Sequence, residues 1–412
     1  MGLEGLARSD LARLGREWLL HGHLQDRVGV PLFLSLAGRE EMERLAIEEW
    51  MTASPIYSRR MQETLGFGPA GGGGDGVADI FKNMQLDIGA PHQFLDFRFE
   101  IHDDRHGEFW LAHCGALMDV EPMGTDFVLG MCHHIEDPTF DATAGATNPY
   151  AAVRPVHRPP RVPADRHPHC HWTVTIGDPE VGTPAEEHPC LAEMAISPLA
   201  SLPTVRAPGG DGAPADGWPD YSGPFDPDFR LESLGTGALT LTLDEFAFQS
   251  HLLLRAYMAA LCRRIGMEEA IRFGHRVLIG LCGLTAERLV RAGLAPDLPT
   301  LFQRHPLIHP LRFTGMRVEG SNPVRISVQG GHATLHPDSL SVLNLLDRHG
   351  PAPLMSIAAA VDRRTAVRPD RVLAGETLAW TVEVDPERDP APEPPELALA
   401  RFSTGATFTF GS

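Results

Sequence analysis

Residues 23–60 return as residues 251–288. At a shift of 228 positions His23 falls on His251, Leu24 on Leu252 and Arg27 on Arg255. Gly38, Glu40 and Glu41 fall on Gly266, Glu268 and Glu269, Arg44 on Arg272, and Arg60 on Arg288: eight identities in 38 gapless positions. Fainter echoes follow in the same order at smaller shifts. Phe94, Arg98 and Glu100 meet Phe313, Arg317 and Glu319; RPPRV (158–162) meets RPDRV (368–372); WTV (172–174) meets WTV (380–382). Solenoid units are shorter than this and stack many times. A long unit used twice predicts a pseudo-dimer within one chain.

Each copy carries helices first and strands second. Residues 3–66 place apolar side chains such as Leu32, Leu36, Met42, Leu45 and Trp50 at helical spacing. FLDFRFEIHDD (94–104) and GEFWLAHC (107–114) read as two strands joined by a turn, TDFVLGMC (125–132) as a third apolar run ending at Cys132, and HWTVTI (171–176) as an alternating strand. The glycine-rich GPAGGGGDG (68–76) and the stretch 135–161 read as loops, the latter long enough to be functional. After a Pro/Gly-rich linker or arm at 177–238, helices resume at 243–292. Strand-like GMRVEG and NPVRISVQGG, a helix near 338–360 and a strand LAWTVEV follow. The fold class expected is α+β: two tandem related halves, each a helical layer packed on a small, mainly antiparallel sheet. The units would be 1–176, the arm 177–238, and a second, degenerate unit 239–412.

Charge narrows the partners. Among 412 residues, 35 basic against 54 acidic ones leave a net charge of −19. Such a surface repels phosphate backbones, so a nucleic-acid partner is not expected. Arg255, Arg263, Arg264, Arg272 and Arg276 interrupt the most apolar helices, so no membrane span is expected. No secretory signal is read near residue 1, and the expected location is cytoplasmic. Six cysteines in a chain of this size do not form a disulfide scaffold.

The two halves differ in their chemistry. The first carries His113, Cys114, Cys132, His133, His134, Asp137, His169, Cys170 and His171, while the matching stretches of the second lack cysteine. Thiolate and imidazole suit zinc or iron, and ligands at the ends of neighbouring strands can converge. The metal set expected is Cys114, Cys132, His133, Cys170 and His171, with Asp137, Glu136 and His134 as proton-moving groups. A metal-free cysteine nucleophile and plain core packing are the competing readings of the thiols. Arg154, Arg158 and Arg161 are the candidate clamps for a substrate carboxylate. His23 and the pair Glu40 and Glu41 read as helix residues, because adjacent carboxylates splay around a helix.

The order AGREEMERLAIEEW, FWLAHCGAL, MCHHIEDP and PHCHWTVTI resembles the L-2-amino-thiazoline-4-carboxylic acid hydrolase-like family over residues 28–176, with an echo at 256–384. Gly115 stands where a proline is expected after the first cysteine, and His171 where an acid is expected after the third. The resemblance implies hydrolytic opening of a carbon–nitrogen bond in a small heterocycle. The expected function is a metal-dependent hydrolase acting on a C–N bond of a small carboxylated molecule. A non-haem iron redox enzyme or lyase, and a non-catalytic ligand-binding protein with a structural zinc, are the alternatives.

Overall fold

The computed structural model describes residues 3–209, 216–309, 314–331 and 340–411. Helices of six or more residues are numbered. The first half has α1 (Arg8–Leu19), α2 (His21–Ala37), α3 (Arg39–Leu65) and α4 (Val77–Gln85), then β1 (Leu95–Asp103), β2 (His106–Cys114), α5 (Gly115–Val120), α6 (Glu136–Gly145), β3 (Ala151–His157) and β4 (Cys170–Ile176). The second half has α7 (Thr236–Ile265), α8 (Met267–Arg291), α9 (Leu298–Arg304), β5 (Met316–Gly320), β6 (Val324–Gln329), α10 (Val342–His349), α11 (Ala352–Ala359), β7 (Thr365–Pro369), β8 (Glu376–Val384) and α12 (Pro395–Ala400). Each half contains one four-stranded antiparallel sheet, ordered β1-β2-β4-β3 and β5-β6-β8-β7.

The repeat is visible in the backbone. Gly38 joins α2 to α3 at φ 83°, ψ 173°, and Gly266 joins α7 to α8 at φ 78°, ψ 160°. A side chain is disfavoured at such positive φ, so both junctions favour glycine. Shifted by 228, α1 and α2 together cover the span of the single helix α7; only a break at Leu20 separates them. Beyond each junction Arg44 pairs with Glu40 and Glu41, as Arg272 does with Glu268 and Glu269.

The sheets match row by row. Phe99, Phe109, Trp172 and Pro155 lie across the first; Val318, Ile326, Trp380 and Pro369 lie across the second. Arg98 and Glu100 therefore correspond to Arg317 and Glu319, as the sequence suggests. The match of RPPRV with RPDRV needs correcting. Arg154–Pro155 and Arg368–Pro369 pair with the same positions of their neighbouring strands, so Arg368 corresponds to Arg154 and not to Arg158. The partner proposed for Phe94, Phe313, lies outside the described residues.

The halves interlock through helices. Arg60 on α3 forms a two-pronged pair with Glu245 on α7, 2.9 Å on each prong. Arg288 on α8 pairs with Glu17 on α1 at 2.8 Å. These are the same pair twice, since both residues map at a shift of 228. All four are buried. Where α2 meets α7, Tyr257 donates its hydroxyl to the carbonyl of Gly29, its own counterpart position. A Cβ on Gly29 would sit 2.9 Å from the Tyr257 ring. One apolar core runs through α1, α2, α3, α7, α8 and the second sheet. The arm contributes Tyr221, Phe229, Leu231 and Leu234 to it, so its stretch from Tyr221 to Leu234 packs against the helices.

Three local expectations differ from the fold. The glycine-rich loop expected at 68–76 opens with a helical turn, Gly68–Gly71, whose Gly68 and Gly71 are buried against Gln62 of α3. TDFVLGMC is helical, running into a π-helical turn at Gly130–Ile135. Its apolar run packs against α3 and the sheet, and an apolar run alone does not distinguish a buried helix from a strand. The presumed loop 135–161 contains α6 and β3. Small residues such as Ala142, Ala144 and Ala146 are the buried positions there, giving α6 weak hydrophobic periodicity.

Candidate functional site

A cavity of about 220 Å³ lies in the first half, between α2, α3, the inner face of the sheet and the chain from Cys114 to Thr143. Met42, Trp50, Phe97, Phe127, Met131 and Phe140 are among its apolar walls. Its polar lining includes His23, Asp26, Arg27, Glu43, Asp87 and Glu136. Helical spacing places the first three: positions 23, 26, 27, 30 and 34 form one face of α2. Few, convergent polar groups on an apolar wall are the usual make-up of a small-molecule site.

Burial sets the protonation states. Glu136 opens α6, and desolvation pushes its carboxyl up to about 8, aided by nearby Asp137 and opposed by Arg158. It is therefore largely a neutral acid at pH 7. Burial also raises Asp26 and Asp87, the latter to about 6. Asp87 accepts from the Tyr57 hydroxyl at 2.8 Å and from Gly89 N at 2.7 Å. Trp50 donates its indole N–H to one Asp26 oxygen at 3.2 Å, while the other is buried without a hydrogen-bond partner. His23 is pushed down to about 4, by burial first and Arg27 second. As a neutral ring it can donate from Nε2 to Asp119, 3.2 Å away. Asp119 also faces Arg27 Nε at 3.4 Å, and accepts from the Ser403 hydroxyl at 2.7 Å and Thr404 N at 2.6 Å. Burial opposes ionisation, but the hydrogen bond from His23, the charge of Arg27 and the hydrogen bond from Thr404 N hold the Asp119 carboxyl well below its ordinary range, so it remains a carboxylate.

Of the residues expected to carry chemistry, Cys114 and Glu136 line the cavity. Cys114, Cys132 and Cys170 are buried in one apolar cluster below it. Burial pushes the Cys114 thiol up to about 12 and raises the other two as well. Cys114 also caps α5, its sulfur accepting from Leu117 N at 3.3 Å. The two expected histidine ligands point elsewhere. His133 bonds the Pro159 carbonyl at 2.7 Å. His171 follows Cys170 on a strand, so its side chain leaves by the opposite face, where it meets Glu108 at 2.8 Å. Among the described residues, the expected five-residue set does not gather into a ligand group; the set with all ligand atoms within 4.8 Å is His102, His106 and Glu108.

The other candidates do not line the cavity. Of these, His134 is exposed and reaches the rim by bonding Glu43 at 2.8 Å. Asp137 pairs with Arg158, Arg154 with Asp141 at 2.8 Å, and Arg161 with both oxygens of Glu121 at 2.8 and 2.7 Å. The guanidinium that does line the cavity is Arg27.

Among the described residues, the equivalent positions of the second half are packed. Asp26, Glu43 and Trp50 correspond to Leu254, Ile271 and Leu278, all buried. Val30 and Ala46 correspond to Met258 and Gly274, and the Met258 sulfur presses so close that a Cβ on Gly274 would lie 2.2 Å from it. The cavity thus belongs to one copy of the repeat.

No protein-family model, curated protein or solved structure matches this chain. Among the described residues no helix is long and apolar enough to cross a membrane.

Proposed function

We propose that the chain is an enzyme that hydrolyses a carbon–nitrogen bond of a small carboxylated molecule held in the first-half cavity. The placement of Glu136 and Arg27 on one apolar cavity wall carries this reading, with burial there pushing the Glu136 carboxyl up to about 8. A group whose pKa lies close to the working pH can give a proton and take one back. Glu136 would protonate the departing nitrogen and then, as carboxylate, draw a proton from the attacking water. Arg27, held by Asp119, would fix the substrate carboxylate. The apolar walls exclude bulk water, which strengthens both interactions. This is the class of reaction implied by the family resemblance, and it does not require the thiols to ionise.

Zinc or iron on Cys114, Cys132 and Cys170 is the second reading, favoured by the three thiols sharing one cluster. It requires them to lose protons that burial holds in place.

Release of ammonia or amine from a panel of small amidine, amide and N-heterocyclic carboxylates tests the proposal. Turnover is expected in the wild type. Glu136→Gln should lower kcat about 100-fold or more, the usual contribution of general acid–base catalysis. Arg27→Gln should act mainly on KM. Full turnover in Glu136→Gln would overturn the assignment. Turnover that needs added zinc and disappears in Cys132→Ser would favour the second reading.

A further inference from the structure

The opposite face of the same sheet carries a group that neither the cavity nor the fold explains. Alternation along β1, β2 and β4 sends Phe97, Phe109, Cys170 and Trp172 inward and His106, Glu108 and His171 outward. His102 and His106 flank the β1–β2 turn, with ring centres 4.7 Å apart. His102 Nε2 lies 3.7 Å from Glu108 Oε1, and His171 Nε2 lies 2.8 Å from Glu108 Oε2. Ligand atoms of His102, His106 and Glu108 all fall within 4.8 Å of one another. Ligands around a tetrahedral ion with bonds near 2.1 Å stand about 3.4 Å apart, a distance small side-chain rotations would reach.

The second copy pairs the equivalent strands without these residues, across a hairpin two residues shorter between the matching rows Phe99–Phe109 and Val318–Ile326. Sheet register puts Arg325 in the place of Glu108 and Ala379 in that of His171, and Ser321 and Pro323 stand near the turn where His102 and His106 do. Arg325 there pairs with Glu376 and Asp370. Equivalent strands thus form a shorter hairpin beside an ion-pair cluster in the second half, and a longer hairpin carrying the His–His–Glu cluster in the first. Donors fixed on two hydrogen-bonded strands are largely preorganised. A carboxylate oriented by a neighbouring imidazole is a familiar outer partner arrangement at metal centres.

We propose that this face binds one divalent cation of the zinc class through His102, His106 and Glu108, with His171 orienting the carboxylate and water completing the coordination. Two imidazoles and one carboxylate suit zinc, cobalt or nickel better than calcium or magnesium. The site is independent of the catalytic proposal.

The test uses the untagged full chain, stripped with chelator and titrated with Zn²⁺ by calorimetry and with Co²⁺ by visible absorption. One equivalent of each is expected, with cobalt d–d bands and no thiolate-to-cobalt charge-transfer band. His102→Ala and His106→Ala should each weaken Zn²⁺ binding about tenfold or more, and His171→Asn by a similar factor, with circular dichroism unchanged. No stoichiometric binding to the wild type would overturn the proposal. So would a thiolate charge-transfer band, or affinity unchanged in folded His106→Ala. If either alanine variant fails to fold, the wild-type cobalt spectrum still decides between nitrogen–oxygen and sulfur ligation.

Discussion

Glu136 is the residue on which the chemistry turns, and its protonation has a cost that can be measured. Its folded-state pKa is raised to about 8, whereas an unfolded glutamate titrates near 4.3. The stability tied to its neutral form is fully present below the unfolded value and is lost as pH rises through the folded one. Glu136→Gln removes that dependence. Urea unfolding at pH 5, 7 and 9 should show the variant gaining on the wild type as pH rises, by on the order of a few kcal/mol at about 1.4 kcal/mol per pKa unit. Parallel pH profiles would show that the carboxyl is ionised in the native protein. At the same scale, the sequence marks Glu136 and Cys114 but misplaces their neighbours. His171 fails as a ligand because strand alternation sends it to the other face from Cys170. Arg154, Arg158 and Arg161 each meet a carboxylate of the same half, which no reading of an arginine-rich stretch reveals. Arg27 was in view as a repeated residue, and repetition argues for a structural part. The informative signal lay in the positions where the copies disagree: Asp26, Glu43 and Trp50 against Leu254, Ile271 and Leu278.

Among the elements, β1, β2, β4, β5, β6, β8 and the long helices were legible because their periodicities are strong and glycine marks the helix junctions. The π-helical turn, α6, β3 and β7 were not, since a short apolar run, a helix of small residues and short strands containing proline carry little periodic signal. The crossed pairs Arg60–Glu245 and Arg288–Glu17 were half visible: the arginines matched in sequence, but their partners sit on helices of the other half. Removing one member leaves a buried charge without its counter-ion, a loss usually near 3–5 kcal/mol. Arg288→Met should therefore destabilise strongly in denaturant unfolding, and Arg288→Met with Glu17→Leu should recover much of the loss. A single variant within 1 kcal/mol of wild type, a surface-pair magnitude, would contradict the burial described for the pair.

At the scale of the molecule, the two copies form one interlocked core with an unequal division of labour. Residues 1–176 expressed alone would expose the faces of α1, α2 and α3 that meet α7 and α8. They should be insoluble alone and recovered on co-expression with 177–412; a monomeric, cooperatively folded 1–176 would show that the halves are separate domains. The first copy keeps an open cavity sized for a small carboxylate, and among the described residues the second packs the equivalent positions with Met258 and its neighbours. Saturation-transfer NMR with a panel of small aromatic and heterocyclic carboxylates tests it directly, using wild type, Val30→Met and Met258→Val. Val30→Met places in the first cavity the side chain that closes the second. Carboxylate binding is expected in the wild type and in Met258→Val, and its loss in folded Val30→Met. Binding that survives Val30→Met, or no carboxylate binding at all, would contradict it.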